Sequence, residues 1–557
     1  MTPRLQVRRA AVWGVVAVSV IATAHLSGVR LGPLLDAEGA RGAGSLLRGF
    51  GRPELGGELL WRIAGLAVES LLIGVLATTL AVLIGVGLAA LCIEVPALQD
   101  SPEHAPYRSA VGAAVRFCVR GVLALLRSVP DIVWAFLFVR ALGLGPGPAV
   151  LAIALTTGGI FGKLFAELAE AVEPESIRAL RRMGVGRLGI LVHGVLPQVW
   201  RQWVGYAFYR LECSVRSASI LGVVGAGGLG TEIALDMRYQ EYDKLATALL
   251  AVMVLVVGIE LVSSWLRRRP FKYTFWLAVF GSAVALVRLP IPWSELTMTR
   301  LVPSWLVHGE GSPTWAFLVE ALRLAAQTVA MAWCATWGAA VIAMILSPIA
   351  STTLSLRGHR ADSLRGRRGL TRSATWIAFW LARLFLQASR AMPELTLALI
   401  FVVWVGPGPF AGVLAIGVHT IGVLGRLYSD VYEEVDPGSA GALENSGASR
   451  LGIWLYGVFP QAAPRLLGFT FYRFEVNVRM TAMVGFVGAG GIGDAIDTAI
   501  ALFHGPELLL LLGVLFATVV ALDVAGDRVR LRILAGRFRH AGPLTPPRAA
   551  FLSHAKP

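Results

Sequence analysis

Residues 221–230 read Leu221-Gly-Val-Val-Gly-Ala-Gly-Gly-Leu-Gly230, and residues 484–493 read Val484-Gly-Phe-Val-Gly-Ala-Gly-Gly-Ile-Gly493. Each holds a Gly-x-Gly-x-x-Gly: Gly225, Gly227 and Gly230 in the first, Gly488, Gly490 and Gly493 in the second. That spacing matches the dinucleotide-binding fingerprint, which requires a preceding strand in a βαβ unit. Neither copy has one. Both lie in long apolar stretches of helical character, so the dinucleotide reading is rejected. Two readings of the glycines, with Gly228 and Gly491 among them, stay open together. They permit close helix approach, or they break a helix and bare backbone N–H groups that favour an anion.

The surroundings of these runs are membrane-like. Of 557 residues, 56% are hydrophobic and 15% charged, against a usual fraction of about 25%, and the mean hydropathy is +0.67. This excludes a soluble enzyme, a disordered chain and a collagen-like fibre. Cys92, Cys118, Cys213 and Cys334 sit in or beside apolar stretches and read as small core residues, not as a disulfide framework or a paired zinc site. The net charge is +15, and lysine occurs only at 163, 244, 272 and 556. Arginine is thus the general cation here, and its abundance is weak evidence for oxyanion recognition.

A span needs about 20 apolar residues. Helices are expected near 10–26, 63–93, 117–142, 149–166, 204–235 and 245–266, then near 273–289, 317–347, 374–405, 410–428, 467–500 and 507–523. The reading is an all-α polytopic membrane protein of about twelve transmembrane helices. The first could instead be a signal peptide ending at Ala22-Thr23-Ala24, but Arg267–Lys272 before Tyr273–Leu289 repeats its pattern and argues for a built-in helix. Arginine-rich segments 178–187, 267–272, 357–372 and 528–539 are assigned to the cytoplasm by the positive-inside rule, and both chain ends with them.

The chain is duplicated. Residues 151–230 align without a gap on 414–493, an offset of 263 (414 − 151), with 36 identities in 80 positions. Arg127-Ser-Val-Pro130-Asp131 recurs as Arg390-Ala-Met-Pro393-Glu394, and Gly145-Pro-Gly-Pro148 is matched to Gly406-Pro-Gly-Pro409. Glu69 and Glu320 are aligned at the start of the second helix of each half. Six spans per half make the two six-helix repeats parallel, a pattern of transporters. The expected domains are 1–267, 268–540 and a cytoplasmic tail 541–557.

Three repeated motifs carry the functional reading. The first runs Glu170-Ala-Val-Glu-Pro174, Ala179-Leu-Arg-Arg-Met-Gly184, then Leu196-Pro197-Gln198. Its copy runs Glu433-Glu-Val-Asp-Pro437, Ala442-Leu-Glu-Asn-Ser-Gly447, then Phe459-Pro460-Gln461. Pro174 and Pro437 suit a first helical turn and Gly184 and Gly447 its end, giving a short helix, a glycine turn and a second short helix. In the second motif, Arg210, Glu212 and Arg216 precede one glycine run, and Arg473, Glu475 and Arg479 precede the other. Glu212–Arg216 and Glu475–Arg479 are i,i+4 pairs in the favourable order. An intrahelical ion pair is one account; a charged lining of an anion path is the other, since ions at membrane depth usually face a cavity or partner. Asn477 stands where the first repeat has Ser214 and would make such a path asymmetric. In the third motif, Arg127 with Pro130 and Arg390 with Pro393 begin helices. They read as snorkelling plus a helix-start proline, or as a gate. His193, His419 and His504 lack ligand spacing, so no metal is assigned. Gly158–Lys163 fails as a P-loop because Leu164 replaces Ser/Thr, and no Walker motif exists in the chain.

The Glu-Ala…Gly…Leu-Pro layout resembles the coupling loop of ABC importer permeases. Phe208-Tyr-Arg-Leu-Glu212…Arg216…Gly230 and Phe471-Tyr-Arg-Phe-Glu475…Arg479…Gly493 resemble the phosphonate-type permeases, most strongly over 124–230 and 387–493. The resemblance implies a type I importer permease (MetI-like) fold with both permease halves fused in one chain. It implies a path between the halves that works by alternating access in the bacterial inner membrane. It also implies two copies of a cytoplasmic ATPase carrying ATP and Mg, an external substrate-binding protein, no cofactor in this chain and no nucleic acid. Glu170, Pro174, Gly184, Arg187, Glu433, Pro437, Gly447 and Arg450 would then couple to the ATPase. Phosphonate, phosphate or phosphite is the implied cargo. A methionine-type permease and an ATP-independent secondary transporter are the alternatives.

Overall fold

The computed structural model describes residues 18–25, 28, 32, 41, 44–45, 48–49, 51–93, 106–172, 174–186, 189–267, 271–291, 313–352 and 369–538. Among these there are helices and no strand. The first half carries α1 (Gly57–Cys92), α2 (Pro106–Ser128), α3 (Asp131–Leu142), α4 (Pro146–Glu170), α5 (Pro174–Arg182), α6 (Leu196–Leu221), α7 (Leu229–Tyr239), α8 (Tyr242–Arg267) and α9 (Phe271–Arg288). The second carries α10 (Trp315–Ala350), α11 (Gly369–Ala391), α12 (Glu394–Val405), α13 (Pro409–Glu433), α14 (Pro437–Asn445), α15 (Phe459–Val484), α16 (Ile492–Ala501) and α17 (Gly505–Phe538).

Six of these helices are long and apolar enough to cross a membrane, and ten spans result when each of four bent pairs counts as one. Of the about twelve expected, the segment near 10–26 is described only over 18–25, and α9 is a shorter apolar helix. Four of the long expected helices are bent pairs, two of them at the glycine runs. α2 and α3 meet at 88°, α11 and α12 at 95°, α6 and α7 at 42°, and α15 and α16 at 58°. The first two bends fall at the Arg-x-x-Pro motif. Pro130 and Pro393 sit just before the helix that comes next, in extended backbone at ψ 146° and 143°. A proline cannot donate to the preceding turn, so the helix ends and a new one starts in another direction.

The described residues form two compact units. One is built on α1 to α9. In it α4 is the central helix, packed by α1, α2, α3 and α6. Glycines let the helices close: a Cβ on Gly85 would strike Phe161, one on Gly158 would strike Ile84, and one on Gly159 would lie 2.8 Å from Leu126. α9 packs on α1, where Ser282 Oγ and Thr79 Oγ1 are 2.7 Å apart. The other unit is built on α10 to α17 with residues 18–25, whose Ser19 Oγ accepts from Trp333 Nε1 at 3.1 Å. Here α13 is central, packed by α10, α11, α12 and α15. Gly422 sits against Arg390 N and Leu386 O, as Gly159 sits against Arg127 N and Leu123 O in the first unit. Of the four cysteines only Cys92 is a buried core residue. Cys118 is exposed, because α2 turns an apolar face outward with Phe117 and Val122.

Two sequence pairings are corrected by the hydrogen bonds. Leu229 N–H donates to Ser70 Oγ at 2.9 Å and Ile492 N–H to Thr328 Oγ1 at 2.9 Å. Ser70 therefore matches Thr328, an offset of 258 (328 − 70), and Glu69 matches Gln327 and not Glu320. Likewise Gly145 N–H donates to Gly225 O and Gly408 N–H to Gly488 O. The match is Gly143-x-Gly145-Pro146 with Gly406-x-Gly408-Pro409, two residues away from the Gly-Pro-Gly-Pro identity.

Candidate functional site

The glycine runs are helix breaks. α6 ends at Leu221 and α15 at Val484, and the chain turns before α7 and α16 begin. Gly225, Gly227 and Gly228 have φ of +83°, +79° and +76°, and Gly488, Gly490 and Gly491 have +79°, +74° and +78°. An L side chain is strained at each. The fourth glycine of each run has ordinary φ but no room: Gly230 lies against Ser219 O, and Gly493 against Ala482 O. Break and close packing thus occur together. The freed N–H groups are partly used internally. Leu229 and Ile492 donate to the hydroxyls of α1 and α10, Ala226 to Leu221 O, and Thr231 to Gly228 O. In the first unit the Glu69 carboxylate lies beside Gly227.

One side of each break carries the ionisable cluster. In the first unit Arg210 Nη2 donates to Thr157 Oγ1 of α4 at 3.1 Å. Asp131, the first residue of α3, faces Ser217 and Arg210. Glu212 and Arg216 form the expected i,i+4 pair at 3.6 Å, with Glu212 buried. In the second unit Arg473 Nη2 reaches Glu394 Oε1 of α12 at 3.4 Å. His419 Nε2 lies 3.0 Å from the same oxygen. Glu475 is buried with its carboxylate against Gly526 of α17. Asn477 is fully buried and donates to Thr336 Oγ1 at 2.7 Å and Thr420 Oγ1 at 3.0 Å, tying α10, α13 and α15 together. Arg479 lies one turn beyond Glu475 on α15 and is partly buried.

In the sequence Asp131 and Glu394 stand only as ends of a motif. The structure makes them the acidic partners of Arg210 and Arg473. His419 reads there only as a histidine without metal spacing. The signal for the two acids was available: an acid directly after a bend-forming proline starts a helix whose first side chain points back into the core.

The Glu170–Gln198 element also departs from its expected form in one respect. α5 and α14 are the short helices, and each ends in a left-handed glycine, Gly184 at φ +77° and Gly447 at φ +81°. Gly184 N–H donates to Arg181 O and Val185 N–H to Leu180 O; Gly447 and Ala448 repeat this on Glu444 and Leu443. This is the Schellman closure. The expected second short helix is replaced by a π-type turn, Ile190–Val195 or Ile453–Val458, that runs directly into α6 or α15. Pro197 and Pro460 lack the N–H that a regular turn would use, and the next glutamine bonds its own i−4 carbonyl through its side chain. Gln198 Nε2 donates to Gly194 O at 2.7 Å, and Gln461 Nε2 to Gly457 O at 2.7 Å and to Ser439 Oγ of α14. Gly194 and Gly457 seat Leu180 and Leu443, so the short helix is clamped to the foot of the long one. Glu170 and Glu433 face inward, to Arg120 at 2.9 Å and Arg383 at 3.3 Å. Pro174 and Pro437 open α5 and α14, and Asp436 caps α14 by accepting from Gly438 N–H. Arg187 lies outside the described residues, and of Arg450 the backbone alone is described. Arg127 lies one residue before the end of α2; Arg390 Nη2 donates to Gln387 Oε1 at 3.2 Å.

A duplicated bundle with broken apolar helices, buried charged groups and a clamped short helix defines a transport permease of two fused halves. The chain belongs to the family described as binding-protein-dependent transport system inner membrane component, matched over residues 107–272 and again over 370–530. It is the permease subunit of an ABC importer. Among its relatives, the phosphate-import permease protein PhnE of Mycolicibacterium smegmatis (strain ATCC 700084 / mc(2)155) is 32% identical over 490 residues, covering 85% of this chain and 86% of that protein. The phosphite transport system permease protein PtxC of Stutzerimonas stutzeri is 36% identical over 184 residues, 33% of this chain and 65% of its own. PhnE2 of Escherichia coli (strain K12), whose name assigns it to a cryptic phosphonate transport system, is 42% identical over 117 residues, 21% of this chain and 96% of its own. No solved structure matches the chain.

Proposed function

We propose that this permease imports tetrahedral phosphorus oxyanions, with phosphate, phosphite and phosphonates as the class. The observation that carries the reading is the repeated pair Arg210 and Arg473, each on the helix that leads into a glycine break and each held by an oxygen of its own unit. A guanidinium matches the oxygens of such anions. The names of the relatives point to the same class. Arg216 and Arg479, further along the same helices, extend the cationic face, with Glu212 and Glu475 limiting its net charge so that an anion can leave as well as enter.

ATP and Mg belong on two copies of a separate cytoplasmic ATPase, and an extracytoplasmic binding protein delivers the substrate. α5 and α14 receive the ATPase's motion. Each is clamped to the foot of α6 or α15, so a push on the short helix moves the long helix that ends in the glycine break. Transport then proceeds by alternating access. The chain ends, with the arginine-rich segments, lie in the cytoplasm of a bacterial cell whose inner membrane holds the protein.

Radiolabelled phosphate uptake in cells with and without the chain, with unlabelled phosphonates as competitors, tests this. Dependence of phosphate uptake on the chain, with weak competition, makes it chiefly a phosphate importer. Loss of labelled phosphonate uptake alone makes it a phosphonate importer. If neither solute depends on the chain, the oxyanion assignment is wrong.

A further inference from the structure

His419 straddles the bend of the second unit. It stands on α13, with Nδ1 3.0 Å from Met392 O and Nε2 3.0 Å from Glu394 Oε1. Met392 lies on the α11 side of Pro393, and Glu394 starts α12. One imidazole therefore grips both sides of the residue at which the chain turns through 95°. The side chains are 2% and 8% exposed, so water does not substitute for either bond. Arg473 of α15 reaches the same carboxylate oxygen.

The two bonds constrain the protons of the ring. A backbone carbonyl only accepts, so Nδ1 carries a hydrogen. In a neutral ring Nε2 would then present a lone pair to a carboxylate oxygen at 3.0 Å, two acceptors facing each other. The contact is favourable only with a proton between the two atoms, whichever holds it. The first unit differs here. Thr156 occupies the position of His419 and donates to Ala152 O at 3.1 Å, while Asp131 occupies that of Glu394. The other elements around His419 contribute few ionisable groups among the described residues. α11 brings Arg390, turned to Gln387; α15 brings Arg473; α10 brings Cys334, in the same apolar cluster as Met392.

We infer that His419 and Glu394 form a proton-dependent latch that fixes the turn of the second repeat and, through Glu394, the guanidinium of Arg473. Both are positioning residues. The latched state holds a proton that the opened state gives up, so the latch is complete at low pH and loses its Nε2 bond as pH rises. The part that concerns Arg473 rests on Arg473 being a path residue, as proposed above. The part that concerns the turn does not.

Two measurements on the full chain separate these parts. The first is the thermal unfolding midpoint of the purified chain in detergent, followed from about pH 5.5 to about pH 9 around the histidine range, for wild type, His419→Gln and Glu394→Gln. A glutamine amide offers either a carbonyl or an NH2 to Nε2, so Glu394→Gln serves the neutral ring as well as the charged one. The midpoint of wild type is expected to step down as pH rises, with the step flattened in both variants. If His419→Gln does not fold, Glu394→Gln decides alone. Superimposable pH profiles of wild type and Glu394→Gln overturn the latch. The second is labelled-phosphate uptake by the importer complex in proteoliposomes over the same pH interval. A several-fold rise in KM in wild type, absent from Glu394→Gln, is expected. An unfolding step with no pH-dependent difference in KM leaves the latch in place and removes its link to Arg473.

Discussion

Arg120 Nη2 and Glu170 Oε1 meet at 2.9 Å between α2 and α4, and 263 residues later Arg383 and Glu433 meet at 3.3 Å between α11 and α13. The two glutamates that resemble the family's coupling acids are therefore first of all intramolecular ties. They hold the helix before the bend against the central helix. The two are not equivalent in burden. Glu433 also accepts from Thr352 N–H at 2.8 Å, and Arg383 Nε donates to Ala350 O at 3.1 Å, so the end of α10 is bound in as well. An exposed ion pair contributes about 0–1 kcal/mol. A lost partner for a part-buried backbone N–H costs about 1–3 kcal/mol. Glu433→Ala is thus expected to lower the unfolding midpoint clearly and Glu170→Ala only slightly, in purified chain. Equal effects would mean that the Thr352 bond contributes little.

Gly184 and Gly447 give a test of the force path. Nothing lies within 4 Å of a Cβ built on Gly184, and Gly447 closes its short helix with the same left-handed turn. The cost inside the fold is the left-handed backbone, about 1–2 kcal/mol per residue. Gly184→Trp and Gly447→Trp should leave the chain inserted yet uncouple ATP hydrolysis from uptake. Gly184→Asn and Gly447→Asn, which tolerate that backbone, should retain coupling. Full uptake in the double Trp variant would remove α5 and α14 from the mechanism.

The offset of 263 carried much of this in advance. It reproduces the Arg–Glu ties, the two Schellman turns and the glycine contacts, because a duplicated sequence that folds twice must satisfy the same backbone groups twice. The features it did not carry have physical causes. The 88° and 95° bends fall inside continuous apolar stretches, and hydropathy reports transfer into lipid, not direction. The Glu69–Glu320 pairing was off by seven residues (258 − 251), which is two helical turns. A slip of that size keeps the same face toward the core and costs the pattern almost nothing. The inward aim of His419 was illegible because its partners, Met392 O and Glu394, come from a turn whose shape the sequence leaves unstated.

Glycines that look alike in sequence should respond differently to alanine. Gly468, inside α15, has nothing within 4 Å of a Cβ, and neither does Gly205 in α6. Alanine there should stabilise by up to about 1 kcal/mol through helix propensity. At Gly493 a Cβ would strike the Ala482 carbonyl, and at Gly485 it would lie 2.7 Å from Gly493 Cα. Both obstacles are backbone and cannot rotate away. Gly493→Ala and Gly485→Ala should abolish folded yield, measured as monodisperse protein after extraction. Recovery of normal yield would show that the break can relax, and the packing account of these two glycines would fail.

Asn477 decides whether the difference between the repeats serves selection or cohesion. Its amide joins Thr336 and Thr420, all three side chains are fully buried, and each belongs to a different helix. In the first repeat the matching residues are Ser214, Thr78 and Thr157, and there Thr157 Oγ1 receives Arg210 instead. The second repeat sends its arginine to Glu394, so Thr420 is left for Asn477. The asparagine therefore follows from where the arginine goes. Asn477→Ser installs the residue of the first repeat but is too short to span both threonines. It should cost about 1–3 kcal/mol of stability, the range for a lost buried hydrogen-bond partner, with the KM for phosphate unchanged. A shifted KM at unchanged stability would instead make Asn477 a residue that the substrate touches, and the asymmetry of the repeats would then be one of selectivity.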